Sequence, residues 1–203
     1  MKKAVFLDRD GTIIRDRNYL RSANDIEFLR GAVDALKRLR SAGFLLIVCT
    51  NQSGIARGIL SEREYRAIDR RFKQMLSARG VSLDRTYYCP HLSGGSVGKF
   101  AIKCECRKPG RGMFIAAQKE FSIDFNASYA VGDSLRDLLP AKTLGATTIL
   151  VKTGKGRKVL SHRAAGRSRL LADYICRDLL AASRKIVALV EKSISSFRQE
   201  GIS

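Results

Sequence analysis

Two carboxylates one residue apart, Asp8 and Asp10, close the apolar run Ala4-Val5-Phe6-Leu7, and Gly11-Thr12 follow them. On a strand, side chains two apart share a face, so both acids project together where the strand ends. Anions this close repel unless a proton or a cation is shared between them. Mg²⁺ meets that demand, because it takes hard oxygen ligands and accepts substrate phosphates in its shell. The chemistry such a pair supports is phosphoryl transfer, with Asp8 as nucleophile and Asp10 as acid and base. A solvated Asp-x-Asp-Gly turn uses the same residues, so the rest of the chain has to decide.

A second group sits mid-chain. Cys89, His91, Cys104 and Cys106 form two short x-spaced pairs separated by a glycine-containing loop. A Cys₃His set favours a closed, tetrahedral structural Zn²⁺ site, with reduced, unliganded thiols as the alternative. Cys106 is followed directly by Arg107 and Lys108, so a metal here would fix a long loop and aim both cations. The planar fork of Arg107 suits a second, non-reacting phosphate or a sugar oxygen. Cys49 lies inside the apolar run 44–49 and reads as a core residue. Cys176 and His162 belong to no motif and read as structural or exposed.

Other stretches answer the first. Asp8-x-Asp10-Gly11-Thr12 resembles the first motif of the haloacid dehalogenase-like phosphatases. Thr50-Asn51-Gln52-Ser53-Gly54-Ile55-Ala56-Arg57-Gly58, Cys106-Arg107-Lys108-Pro109 and Val131-Gly132-Asp133 resemble the second, third and fourth, in order. Cys89-Pro90-His91 and Cys104-Glu105-Cys106 are similar to the zinc-loop branch, which holds phosphatases of heptose bisphosphates and of histidinol phosphate. The resemblance implies a covalent aspartyl-phosphate on Asp8, and Mg²⁺ held by Asp8, the backbone carbonyl of Asp10, and Asp133. It implies that Thr50 and Lys108 stabilise the transferred phosphoryl group, that Asn51, Gln52, Ser53 and Ser134 face the substrate, and that Asp137 supports the metal site from behind. The loop carrying Asp16, Asn18 and Tyr19 corresponds to a segment that touches the sugar. Thr50 to Arg57 looks like the heptose branch; the histidinol branch tends to carry an acidic residue where Ser53 stands.

A chain of 203 residues is long enough for one domain with a proper core. No apolar run approaches the ~18 residues of a membrane span. Asp8, Arg9 and Asp10 cut short any signal-peptide pattern, so a cytoplasmic protein with reduced cysteines is expected. Lys and Arg outnumber Asp and Glu 38 to 19, a net charge of +19. Such a balance can mark a nucleic-acid-binding module, here a zinc-bearing one. The basic residues are scattered, however, without a stacking cluster, and a positive field equally suits a sugar bisphosphate. No membrane partner is expected, and a monomer is.

Helical spacing predicts helices over 31–42, 61–79 (opened by a Ser61–Glu64 capping box), 113–121 and 135–144, the last with a kink or break at Pro140. Buried-type apolar runs predict strands at 4–8, 44–49, 85–89, 129–131 and 147–151. Alternation of the two gives an α/β fold: a Rossmann-like parallel sheet flanked by helices, with a zinc-stabilised loop and no large cap domain. Asp8, Thr50 and Asp133 all stand where apolar runs stop, at the carboxyl edge where ligands of such sheets bind. Residues 155–169 read as a basic loop and 170–198 as one or two amphipathic helices. The domain organisation is a phosphatase unit over 1–189, with the zinc loop at 89–108, and a helical extension over 190–203.

Overall fold

The computed structural model describes residues 1–161 and 171–200. Its strands are β1 (Ala4–Leu7), β2 (Leu45–Asn51), β3 (Arg85–Cys89), β4 (Tyr129–Gly132), β5 (Thr147–Val151) and β6 (Tyr174–Cys176). They form one parallel sheet in the order β3-β2-β1-β4-β5-β6. The helices are α1 (Ala32–Ser41), α2 (Glu62–Ser77), α3 (Gly112–Phe121), α4 (Leu135–Lys142), α5 (Gly156–Ser161) and α6 (Leu179–Glu200).

Strand alternation splits the core in two. Val5, Leu7, Leu46, Val48, Val131 and Val151 pack on one face with Leu36, Phe72 and Ile186 of α1, α2 and α6. Ala4, Phe6, Ile47, Cys49 and Ala130 face the other way, onto Met113, Phe114 and Ala117 of α3 and Ala141 of α4. A sheet covered on both faces needs apolar residues at every position, which is why these strands read as unbroken runs. Strand order reverses at β1, between β2 and β4, so the crevice beyond their carboxyl ends is the topological switch point. Between β1 and β2 the described elements are only a 3₁₀ turn (Ala23–Asp25) and α1, so no cap domain covers that crevice.

Three expectations need correction. Helix α4 runs through Pro140 and ends at Lys142. Part of the expected basic loop is helical: Val159 and Leu160 of α5 pack against Leu138 and Leu150, giving that segment a small core of its own. The stretch 170–198 is not all helix, because β6 pairs with β5 through Ile149↔Tyr174 to Val151↔Cys176. Asp173 anchors that edge strand by accepting from the Thr148 backbone amide at 2.8 Å. Helix α6 then continues without interruption past residue 190. Residues 162–170, including His162, lie outside the described residues.

Cys49 is a core residue as expected: it is buried in β2, and burial pushes its thiol up to about 12. Cys176 is half-buried in β6. The Ser61–Glu64 capping box at the start of α2 is formed in both directions.

Candidate active site

Each acidic group arrives at the switch point for a local reason. Asp8 follows the last residue of β1, and its backbone amide donates to the Val131 carbonyl at 3.0 Å, continuing the β1–β4 ladder one step. Asp133 follows β4 in the same way. Asp137 lies in the first turn of α4, where the helix dipole favours a carboxylate. Asp8, Asp133 and Asp137 offer oxygens that all lie within 4.8 Å of one another.

Lys108 answers this charge. Its side chain is 2 % exposed, and its Nζ donates to Asp8 Oδ1 at 2.7 Å, to Asp137 Oδ1 at 2.7 Å and to the Cys49 carbonyl at 2.6 Å. Burial opposes the ammonium charge, but Asp137 and Asp8 outweigh it and hold Lys108 above its ordinary value. Burial holds the Asp8 carboxyl well above the carboxylate range, against the pull of Lys108 and helped by Asp137, Asp133 and Asp10. Burial first, and then the charge of Asp137, push Asp133 up to about 7.

Among the described residues, this is an excess of buried acceptors. Asp137 Oδ2 is buried without a partner, while Asp133 Oδ2 accepts from the Lys155 amide at 2.7 Å. A Cβ at Gly11 (φ +86°) or Gly154 (φ +51°) would strike the Asp133 carboxylate, so only glycine lets the two loops close around it. Crowded hard oxygens that favour protonation alone are the donor set a divalent cation fits.

Asp10 sits beside this group. Its Oδ2 accepts from Gln52 Nε2 at 3.0 Å and lies 3.5 Å from Thr50 Oγ1, with the Gln52 amide also donating to Thr50 at 2.8 Å. Asn51 lines the cavity, and its side-chain amide forms two reciprocal 3.0 Å bonds with the Lys108 backbone, fixing the lysine to the end of β2. Asp16 accepts from the Asn18 amide at 2.8 Å and from Lys155 Nζ at 2.8 Å, so Lys155 links this loop to Asp133. Asn18 has φ 70°, a left-handed turn that asparagine tolerates better than most residues. Gly54 lies against Tyr19, where a Cβ would approach the ring within 3.0 Å.

The thirteen expected site residues outside the Cys/His group line a single cavity of about 240 Å³: Asp8, Asp10, Asp16, Asn18, Tyr19, Thr50, Asn51, Gln52, Ser53, Arg107, Lys108, Asp133 and Ser134. Sequence reasoning missed Arg136 and Lys155 on its wall, and it gave Arg57 no role outside its motif. Together with Arg107 they make the rim basic. It also read Arg9 only as a charge that interrupts an apolar run, whereas Arg9 is buried and bound to Asp10.

The Cys/His group forms one compact cluster. Cys106 Sγ lies 3.0 Å from Cys89 Sγ, 3.3 Å from Cys104 Sγ and 3.3 Å from His91 Nδ1, with Cys89 Sγ 3.5 Å from Cys104 Sγ. Three sulfurs and a ring nitrogen this close around one point are the donor set of tetrahedral Zn²⁺. Arg107 donates to the His91 carbonyl at 3.1 Å, tying the cavity's cation to this cluster.

The family model described as HAD-hydrolase-like matches residues 105–182. The D-glycero-β-D-manno-heptose-1,7-bisphosphate 7-phosphatase of Pasteurella multocida is 47 % identical over 158 residues, covering 76 % of this chain and 84 % of that one. The enzyme of the same name from Haemophilus ducreyi is 49 % identical, with 76 % and 85 % covered. The crystal structure of D,D-heptose 1,7-bisphosphate phosphatase from B. bronchiseptica, complexed with magnesium and phosphate, superposes with a TM-score of 0.80 at 34 % identity, covering 92 % of this chain and 98 % of that one. With likeness of this degree running through both sequence and fold, the chain belongs to the heptose-1,7-bisphosphate 7-phosphatase family of HAD-like hydrolases.

Proposed function

We propose that this phosphoric monoester hydrolase removes the 7-phosphate of D-glycero-β-D-manno-heptose 1,7-bisphosphate. The product is the heptose 1-phosphate needed for nucleotide-activated heptose, a lipopolysaccharide precursor, in the cytoplasm. The observation that carries the reading is the meeting of Asp8, Asp10, Thr50, Lys108 and Asp133 in one basic-rimmed cavity, in a chain whose relatives bear that name.

In this reading an Asp8 oxygen attacks phosphorus while the bond to the sugar oxygen breaks, and Asp10 gives that oxygen a proton. The resulting aspartyl-phosphate is hydrolysed by a water whose proton returns to Asp10, releasing phosphate and freeing Asp8. Lys108 keeps Asp8 oriented and places positive charge where the phosphoryl group gains negative charge. Thr50 offers a hydroxyl to the phosphoryl oxygens. Asp8, Asp133 and the Asp10 carbonyl would hold Mg²⁺, with Asp137 bracing the set. The ion, when bound, supplies charge neutralisation between nucleophile and phosphate. Cys89, His91, Cys104 and Cys106 would hold a structural Zn²⁺ that orients Arg107 and Lys108. Arg57, Arg107 and Arg136 on the rim favour a substrate with a second phosphate over histidinol phosphate, which carries an ammonium group instead.

The test is phosphate release with Mg²⁺ from the α and β heptose 1,7-bisphosphates and from histidinol phosphate, side by side. Fast release from the β anomer, lowered at least ~10³-fold by Asp8→Asn, is the expected result. Release from histidinol phosphate alone moves the substrate to the sister branch. Release from none of them sinks the reading and makes salt-sensitive polynucleotide binding the next measurement.

A further inference from the structure

Arg9 lies between the two acids in sequence, but its side chain is 1 % exposed. Its Nη2 donates to Asp10 Oδ1 at 3.1 Å and to Oδ2 at 2.9 Å, and its Nε to Oδ2 at 3.2 Å. The guanidinium carbon is 5.6 Å from the centre of the Tyr65 ring on α2. Among the described residues, three buried polar atoms here lack a hydrogen-bond partner: Arg9 Nη1, the Tyr65 hydroxyl and Asp69 Oδ1. Tyr65 and Asp69 both act electrostatically on Arg9. A donor-only nitrogen, a hydroxyl able to do both, and an acceptor-only oxygen are complementary. Asp69 is itself held by Lys73 at 2.7 Å through its other oxygen.

A buried arginine is costly unless something requires its charge. Asp10 provides the requirement, since a general acid works only when its proton stands within hydrogen-bond reach of the leaving oxygen, and a free carboxyl rotates. Gln52 holds Asp10 from the β2 side and Arg9 from the α2 side.

We propose that Arg9 is a positioning residue for the acid–base step: its fork, lying against the Tyr65 ring of α2, fixes the orientation of the Asp10 carboxyl. The inference rests on Asp10 being the acid and base.

The test separates position from general damage by leaving group. A sugar alkoxide needs a proton as it departs; p-nitrophenolate does not. kcat/KM for heptose bisphosphate and for p-nitrophenyl phosphate is compared in wild type, Asp10→Asn, Arg9→Lys (charge kept, fork lost), Tyr65→Leu and Tyr65→Phe. The expected result is a loss of about 10²-fold on the sugar for Arg9→Lys and under about threefold on the aryl ester, the same selectivity as Asp10→Asn but smaller. Tyr65→Leu, which removes the ring against the guanidinium, follows with a weaker form of the same pattern and decides the matter if Arg9→Lys does not fold, whereas Tyr65→Phe, which keeps the ring, stays near wild type. Equal losses on both substrates, or none, in a background where Asp10→Asn is selective, overturn the role of Arg9 and leave Asp10's standing. An unselective Asp10→Asn removes the acid–base reading, and the inference with it.

Discussion

Asp8, Asp133 and Asp137 reach one point from two strand ends and a helix far apart in sequence, whereas Cys89 at the end of β3 and His91, Cys104 and Cys106 in the loop after it reach theirs within one short stretch. The carboxylates repel and come together only because six paired strands leave them no alternative, with Lys108 between them. The thiols and imidazole have no comparable repulsion when neutral, and short spacing already places them together. The first centre is therefore a product of the whole fold and opposes it electrostatically. The second is local and organises chain that has little regular structure of its own. They meet at Cys106-Arg107-Lys108, where the local centre delivers the cation that the global one requires.

The junction is the place to break this relation most severely. Lys108→Met leaves Asp8 and Asp137 buried without their shared counter-charge. Urea denaturation is expected to show a loss of about 3–5 kcal/mol, and phosphate release to fall by about 10³-fold. A stability unchanged in Lys108→Met would mean that the acids are not held by charge. Removing the local centre acts less harshly: a chelator, or Cys106→Ser, should lower activity about 10–100-fold while the sheet's circular dichroism stays intact. Activity that survives full zinc removal would detach the two centres from each other.

The smallest effect sharpens the electrostatic half. Asp133 titrates near 7 in the fold, far above an ordinary carboxyl, so the folded chain binds the extra proton. Its stabilising contribution is complete below the usual carboxylate value and is lost as pH rises through about 7. Asp8 shifts in the same direction, and Lys108 stays charged throughout that window. Protein stripped of divalent ions should therefore melt several degrees lower at pH 8 than at pH 5, and Mg²⁺ should remove the difference. A melting temperature that rises with pH in the stripped protein would contradict the arrangement.

Much of the site was legible because it is built at places where apolar runs stop. Asp8 and Asp133 follow buried strands directly and Thr50 stands at the end of one, so their convergence needed only the parallel-sheet rule. What was missed had no such signal. β6 is three residues long, too short for any period, and it exists because β5 offers it an edge. α5 depends on two apolar residues finding Leu138 and Leu150, a contact across the chain. Arg9 reads only as a charge that interrupts an apolar run until its neighbour is seen to neutralise it within the fold. The tie from Asn51 to the Lys108 backbone had no signal either, because nothing in an Asn-Gln-Ser run says which amide reaches back to the main chain.

That last contact has a wider meaning. The Asn51 amide grips both the N–H of Lys108 and its C=O, while Cys89 is fixed at the end of β3. Both ends of the intervening stretch are thus docked to the sheet, and the Cys/His group draws its two arms together just inside those ends. Because the entropy of closing a loop grows only slowly with its length, residues between His91 and Cys104 can be inserted or exchanged without displacing the ammonium group. The segment between His91 and Cys104 is therefore a place where length and sequence are free to change while the reaction centre stays put.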